Sequence, residues 1–318
     1  MGTIRTVLGD ISPGSFGMAL THEHILCDFV GADKVDRSRY DRREVFEIML
    51  PLLKEIRELG VTGFVDCTPA FIGRDPLLLA ELSRASSVHI LTNTGLYKEP
   101  YLPKYSFELS ADELAEIWAL EVEEGVEDEI LRARTGRVER FPVKAGFVKI
   151  AVNPGHLSPI QEKIVRAAAR CSLYTGAAIV CHTGEGTAAL GLLRVIEEEG
   201  LDAGRLIVAH CDAIEDWNYH MEILQLGANV SYDGVSEETV GRTLKLLESV
   251  VSHGFDEQIL LSQDSGWYNV GEPRGGRIRG YSFIVKKFIP LLEERGFDRS
   301  LIQRIFIENP SAVFQLKK

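Results

Sequence analysis

Eight short runs rich in β-branched and other apolar residues recur along the chain: GMALTHEHILC, VTGFVDCT, VHILTNTG, GFVKIAVN, AAIVCHTG, RLIVAHCD, ANVSYDG and QILLSQDS. Most are followed by a segment such as REVFEIMLPLLKEIRELG or PIQEKIVRAAARCSLYTG, with apolar residues at helical spacing and a glycine at the end, the usual helix stop. Strands that alternate strictly with helices require a parallel sheet with right-handed crossovers. Eight such units within 318 residues match the size of a (β/α)8, or TIM, barrel. An α/β fold of that kind is therefore expected, with a doubly wound open sheet as its structural competitor. No linker, composition break or internal repeat divides the chain, so residues 1–318 read as a single domain. SFIVKKFIPLLEERG and DRSLIQRIFIENPSAVF read as closing helices, and GVEDEILRARTGRVERFPVK as an inserted loop or short hairpin before the fourth strand.

The formal charge of −12 argues against nucleic acid or an anionic membrane as the main partner, because both reward excess Lys and Arg. A small-molecule substrate is the expected partner. No apolar run approaches the roughly 18 residues of a spanning helix, and the N-terminus lacks the apolar core of a secretory signal, so a cytoplasmic location is expected. The five cysteines, at 27, 67, 171, 181 and 211, are odd in number and sit in apolar runs. They read as reduced, buried small hydrophobes rather than a disulfide framework.

Candidate ligands fall at the ends of strands. His22 and His24 are two apart in the first run, so in a regular strand they share a face and lie close enough to share an ion. His182, His210 and Asp264 end the fifth, sixth and eighth runs, on the rim where barrels of this type place their chemistry. Each alone also reads as a satisfied core or surface residue; five on one rim point to a metal site. The fourth run offers no acid, only Lys144 and Lys149. An ammonium there would repel metal ions, whereas a lysine carboxylated by carbon dioxide carries a negative charge and two oxygens that can bridge. The alternative for Lys149 is an ordinary strand-end lysine.

The order His-x-His, Lys, His, His, Asp on strands one, four, five, six and eight resembles the phosphotriesterase family of the amidohydrolase superfamily, including its lactonase-like branch. The matching phrases are TVLGDISPGSFGMALTHEH, KAGFVKIA, AAARCSLYTGAAIVCHTGEG, GLDAGRLIVAHCD, LLSQDS and ENPSAVF, spread over nearly the whole chain. The resemblance implies two divalent ions, usually zinc, with cobalt, manganese or iron as substitutes, bridged by N6-carboxylysine at Lys149 and by a hydroxide. His22, His24 and Asp264 would hold the buried ion, and His182 and His210 the exposed one. It also implies attack by the bridging hydroxide, with Asp264 relaying the proton, and a homodimer. Tyr97 in TNTGLYKEP falls where lactonase-like relatives carry a tyrosine that could orient a carbonyl; simple packing is the alternative. Tyr232 is read as standing where those relatives have an arginine, so it is a candidate substrate contact. Trp267 either lines the pocket or covers its rim. Arg274, Arg277 and Arg279, in the loop after strand eight, are candidate contacts to an anionic substrate, or else solvated loop charges. The expected function is hydrolysis of a lactone or related carboxylic ester, with organophosphate triesterase activity as a side reaction. An amidase for a small N-acyl compound and a catalytically silent metal-binding barrel are the alternatives.

Overall fold

The computed structural model describes residues 2–184 and 188–317. It opens on an antiparallel hairpin that the periodicity did not signal, β1 (Ile4–Thr6) and β2 (Gly9–Ile11). Parallel strands follow: β3 (Met18–Cys27), β4 (Val61–Asp66), β5 (His89–Leu91), β6 (Asn93–Thr94), β7 (Phe147–Ala151), β8 (Ile179–His182), β9 (Leu206–Ala209), β10 (Asn229–Tyr232), β11 (Ile259–Leu261) and β12 (Gly266–Asn269). Between them run the helices α1 (Arg42–Glu58), α2 (Pro76–Ser86), α3 (Ala111–Glu123), α4 (Glu129–Thr135), α5 (Pro159–Thr175), α6 (Ala189–Glu198), α7 (Trp217–Gln225) and α8 (Val240–Ser252). Local signals fix several of their ends. Ser110 with Glu113 and Ser158 with Gln161 form reciprocal capping boxes at the starts of α3 and α5, and Gly176 ends α5 in the left-handed region.

The fold is α/β with the strand and helix alternation of a (β/α)8 barrel, but its parallel ladder runs in two arcs. One arc is β12-β3-β4-β5 and the other β11-β10-β9-β8-β7-β6. They are joined through the chain itself, because two of the eight barrel strands are split. Strand three breaks at Thr92 into β5 and β6, and strand eight breaks at residues 262–265 into β11 and β12. At the second break the backbone still bonds to β3: the Asp264 N–H donates to His22 O at 3.1 Å, and the His24 N–H to Ser265 O at 2.9 Å.

The excursion before β7 is a hairpin-like ladder with α4 at its tip. Its backbone bonds run from Val126 N to Val143 O and from Asp128 N to Glu139 O, both at 2.8 Å. Buried Arg74 ties it to the barrel, donating to Asn93 O at 2.7 Å, to both Glu121 oxygens at 3.1 Å and to Glu129 Oε2 of α4 at 3.4 Å.

Within the barrel, the N-terminal end of the lumen is apolar. Ala19, Val65, Leu91, Phe147, Val180, Ile207 and Leu260 pack there with Ile4, Phe16 and Phe314 from the two ends of the chain. A period of two would carry Ala19 on to Thr21 and Glu23, leaving His22 and His24 outside. The register shows why that does not happen. Leu20 pairs with Phe64 and Glu23 with Asp66, so β3 carries one residue more than β4 between these pairs. This bulge reverses the facing of β3 and turns both histidines into the lumen.

Candidate metal centre

At the C-terminal end of the lumen His22, His24, Lys149, His182, His210 and Asp264 line one cavity of ≈ 60 Å³, with Tyr97, Trp267, Phe29, Cys27 and Cys67 among its other walls. The ring centroids of His22 and His210 are 4.9 Å apart, and those of His182 and His210 4.5 Å. Ligating atoms of His22, His24 and Asp264 lie within 4.8 Å of one another, a spacing that could hold an ion. His210 and Asp264 reach the cavity from left-handed backbone, with φ of 58° and 48°, which a residue other than glycine adopts only when its surroundings enforce it.

Carboxylates behind the rings supply that enforcement. Asp233 accepts from the His210 N–H at 3.0 Å and meets His210 Nδ1 at 2.7 Å, while its other oxygen lies 2.8 Å from His22 Nδ1. Asp233 thus joins His22 and His210 in a second group with metal-binding spacing. Its oxygens face Nδ1 atoms, however, so it orients the rings rather than competing for an ion. Burial alone would raise the Asp233 carboxyl, but the charges of His210 and His22 prevail and hold it well below the usual carboxylate range.

Glu23 grips the strand-eight break, accepting from Ser262 Oγ at 2.8 Å, Gln263 N at 3.0 Å and Ser265 N at 2.7 Å. Despite these bonds, burial pushes its carboxyl up to about 7. Asp66 accepts from Ile25 N at 2.8 Å and Thr68 N at 3.0 Å, and Thr68 Oγ1 meets His24 Nδ1 at 2.8 Å. That bond leaves His24 Nε2 facing Asp264 Oδ1 at 3.1 Å.

The donor set suits divalent cations. Asp264 Oδ1 is buried and, although His24 Nε2 lies 3.1 Å away, forms no hydrogen bond, a costly state for a polar atom unless something else satisfies it. His22 is pushed down to about 4 by burial first and then by the Lys149 amine, and burial first also holds His182 far below the ordinary imidazole value. At His22 and His182 a neutral imidazole beside the ionised Asp264 is the ligand state that a metal needs, whereas the Asp233 charge outweighs burial and raises His210, whose proton a bound ion would displace. Lys149 is buried, its Nζ 3.3 Å from His22 Nε2, with no carboxylate paired to it among the described residues. An imidazole and carboxylate set of this kind fits divalent metal ions.

Other expected contacts divide. Tyr97 and Trp267 line the cavity; the Tyr97 ring lies tilted, 5.2 Å from His182, and Trp267 meets His24 edge-on at 5.3 Å. Burial first, then the Asp264 charge, raises the Tyr97 phenol above its ordinary value, so it stays protonated. Tyr232 is not a cavity residue. On β10 the side chains of Ser231 and Asp233 face the lumen side, so Tyr232 points outward into the core, where its hydroxyl meets His220 Nδ1 at 2.9 Å. Arg274, Arg277 and Arg279 are exposed and none of them lines the cavity. Arg279 instead donates to the main-chain oxygens of Gln263 and Asp264, bracing the strand-eight break from outside.

The sequence reading did not single out Asp233, Glu23, Asp66 or Lys98. The first follows a strand end in SYDG as His210 does in VAHCD, a placement that could have marked it; the bulge that buries Glu23 behind the site leaves no comparable signal.

Comparison with known proteins agrees with this geometry. The sequence profile of the phosphotriesterase family matches residues 2–314. The chain is similar to the phosphotriesterase homology protein of Escherichia coli (strain K12), 26% identical over 303 residues that span 94% of this chain and 98% of that protein. It is 27% identical over 323 residues to the phospho-furanose lactonase of Mycoplasmopsis synoviae (strain 53), covering 97% of this chain and 90% of the relative. The aryldialkylphosphatase of Saccharolobus solfataricus (strain ATCC 35092 / DSM 1617 / JCM 11322 / P2) is 25% identical over 315 residues, 96% of each chain. With a profile match over almost its full length and a rim of metal-binding donors, the chain belongs to the phosphotriesterase family and is a metal-dependent hydrolase.

Proposed function

We propose that this hydrolase opens a lactone or related carboxylic ester, with weak turnover of organophosphate triesters as a side reaction. The observation that carries the reading is the convergence of four imidazoles, Asp264 and a buried lysine on one cavity. Tyr97 on the cavity wall adds a phenol that can hold the oxygen of a planar carbonyl. Two of the similar proteins bear the names phospho-furanose lactonase and aryldialkylphosphatase, so one scaffold of this family serves both kinds of bond.

In this reading His22, His24 and Asp264 would hold one ion and His182 and His210 the other. Lys149 would be carried as N6-carboxylysine, whose negative charge would remove the repulsion that a buried ammonium creates. When bound, two divalent ions, zinc first, would lower the pKa of a water molecule and polarise the substrate oxygen.

The chain's own residues do the rest. Asp264, kept ionised by its imidazole neighbours, accepts a proton from the attacking water at its carboxylate and returns it to the leaving oxygen. The Tyr97 phenol donates toward the carbonyl oxygen, and the Trp267 and Phe29 rings, 5.7 Å apart, cover the mouth and exclude bulk water. Asp233 and Glu23 keep the rings and the Asp264 backbone in place throughout.

A panel of γ-lactones, N-acyl amino compounds and paraoxon, assayed on zinc-, cobalt- and manganese-loaded protein before and after chelation, tests the reading. Lactones should be turned over fastest, and chelation should abolish the activity. Faster cleavage of the N-acyl compounds would move the assignment to an amidase, and no metal-dependent turnover of any member would remove the esterase reading.

A further inference from the structure

Lys98 follows Tyr97 in the loop after β6 and brings its Nζ to 3.1 Å from His182 Nε2 and 5.6 Å from the centroid of the Tyr97 ring. It is half-buried, and no carboxylate pairs with it among the described residues. Lys104, six residues on, is by contrast exposed and meets Glu108 at 3.7 Å. With the three loop arginines away from the cavity, Lys98 is the described cation, apart from Lys149, that stands against a wall of the site.

The contact with His182 restricts what the ring can do. An imidazole has two nitrogens, and a metal ion cannot share the place already occupied by an ammonium. His182 therefore has Nδ1 to offer a metal, and once Nδ1 is given up, Nε2 must carry the ring proton. In the structure the Lys98 ammonium donates to Nε2 at 3.1 Å; once Nε2 carries the ring proton that acceptor is gone, and two N–H donors, one of them cationic, face each other. An acceptor between them turns this repulsion into two hydrogen bonds, at least one of them charge-assisted.

We propose that Lys98 and the Nε2–H of His182 form a two-donor anion seat beside the metal centre, filled by an oxyanion that the substrate carries near its scissile bond. A carboxylate, a sulfonate and a phosphate share the required chemistry. The inference deepens the esterase reading and rests on it for the identity of the bond cleaved. It places the recognition of charge after strand three, not in the arginine-bearing loop after strand eight.

The test compares wild type, Lys98→Met and Lys98→Arg, each loaded with zinc. Steady-state kinetics on neutral γ-butyrolactone and on carboxylate- and phosphate-bearing γ-lactones give the ratio of kcat/KM, charged over neutral. Titration calorimetry with acetate and with inorganic phosphate reads the seat without turnover. Lys98→Met should lower the charged-to-neutral ratio at least tenfold, mainly through KM, and weaken anion binding at least tenfold. Lys98→Arg should restore most of both, and the anion that loses more identifies a planar or a tetrahedral oxyanion. If wild type turns over no lactone but Lys98→Met still loses the anions, the esterase reading falls and the seat stands. An unchanged ratio together with unchanged anion affinity overturns the seat.

Discussion

The two ends of the barrel lumen are built from the same strands and obey opposite rules. On β7 Phe147 sits in the apolar end and Lys149, two residues on, in the cavity; on β8 Val180 and His182 repeat the pattern. The lower end is filled by side chains such as Phe147 and Phe314, packed edge to face at 5.6 Å, and sealed by segments from both ends of the chain. The upper end holds polar groups out of water, many of them bracing one another while Asp264 Oδ1 forms no hydrogen bond. Stability is thus concentrated where nothing titrates, and chemistry where folding alone leaves polar atoms wanting.

If that division is real, substitutions at the two ends should separate cleanly. The largest effect on activity is expected from Asp264→Asn, which should cost about 10²–10⁴ in kcat while leaving the thermal midpoint of the chelated protein near that of wild type. Phe147→Ala should do the reverse, lowering unfolding free energy by about 3–5 kcal/mol while the folded fraction keeps its metal content. A Phe147→Ala protein of wild-type stability would break the comparison.

Asp233 belongs to the upper end but touches no substrate. Asp233→Asn should weaken metal affinity by about 10–100-fold, measured by competition with a chromophoric chelator. Unchanged affinity would show that the rings hold their orientation without it.

The smallest expected effect is on the pH dependence of metal-free protein. His22 is held down to about 4 against 6.5 in an unfolded chain, so between these values the unfolded state binds a proton that the native state refuses. Its contribution is intact above pH 6.5 and is lost on acidification toward 4, by up to about 1.4 kcal/mol per pH unit. Glu23 works the other way. Its carboxyl is raised to about 7, so its contribution is complete below 4.5 and is lost as pH rises through 7. Thermal midpoints of chelated wild type and His22→Asn at pH 7 and pH 5 should show a shallower acid decline in the variant; parallel declines would count against a neutral buried His22.

Much of this was legible in the sequence because it is periodic. Alternating strand and helix patterns marked the barrel units, and the strand-end histidines, Lys149 and Asp264 fell on one rim as their spacing suggested. What escaped depends on breaks in periodicity. The β3 bulge is invisible in ALTHEH, yet without it the alternation that puts Ala19 in the lumen would turn Glu23, and not the histidines, inward. Tyr232 was misplaced because its strand was read without its facing, and Asp233, one residue on, is the group that reaches the site. The loop arginines could not be placed at all, since glycine-rich chain such as GEPRGGRIRG carries no repeating pattern that says which way a side chain points. Lys98 was passed over because its meaning lies in a contact with His182, 84 residues away.

Metal content is the most direct measure of the centre at the barrel mouth. Protein prepared with excess zinc and bicarbonate, dialysed and analysed for elements, should carry two ions per chain, and Lys149→Ala prepared the same way should carry fewer. Wild-type protein that retains no stoichiometric metal under these conditions would contradict the account at its centre.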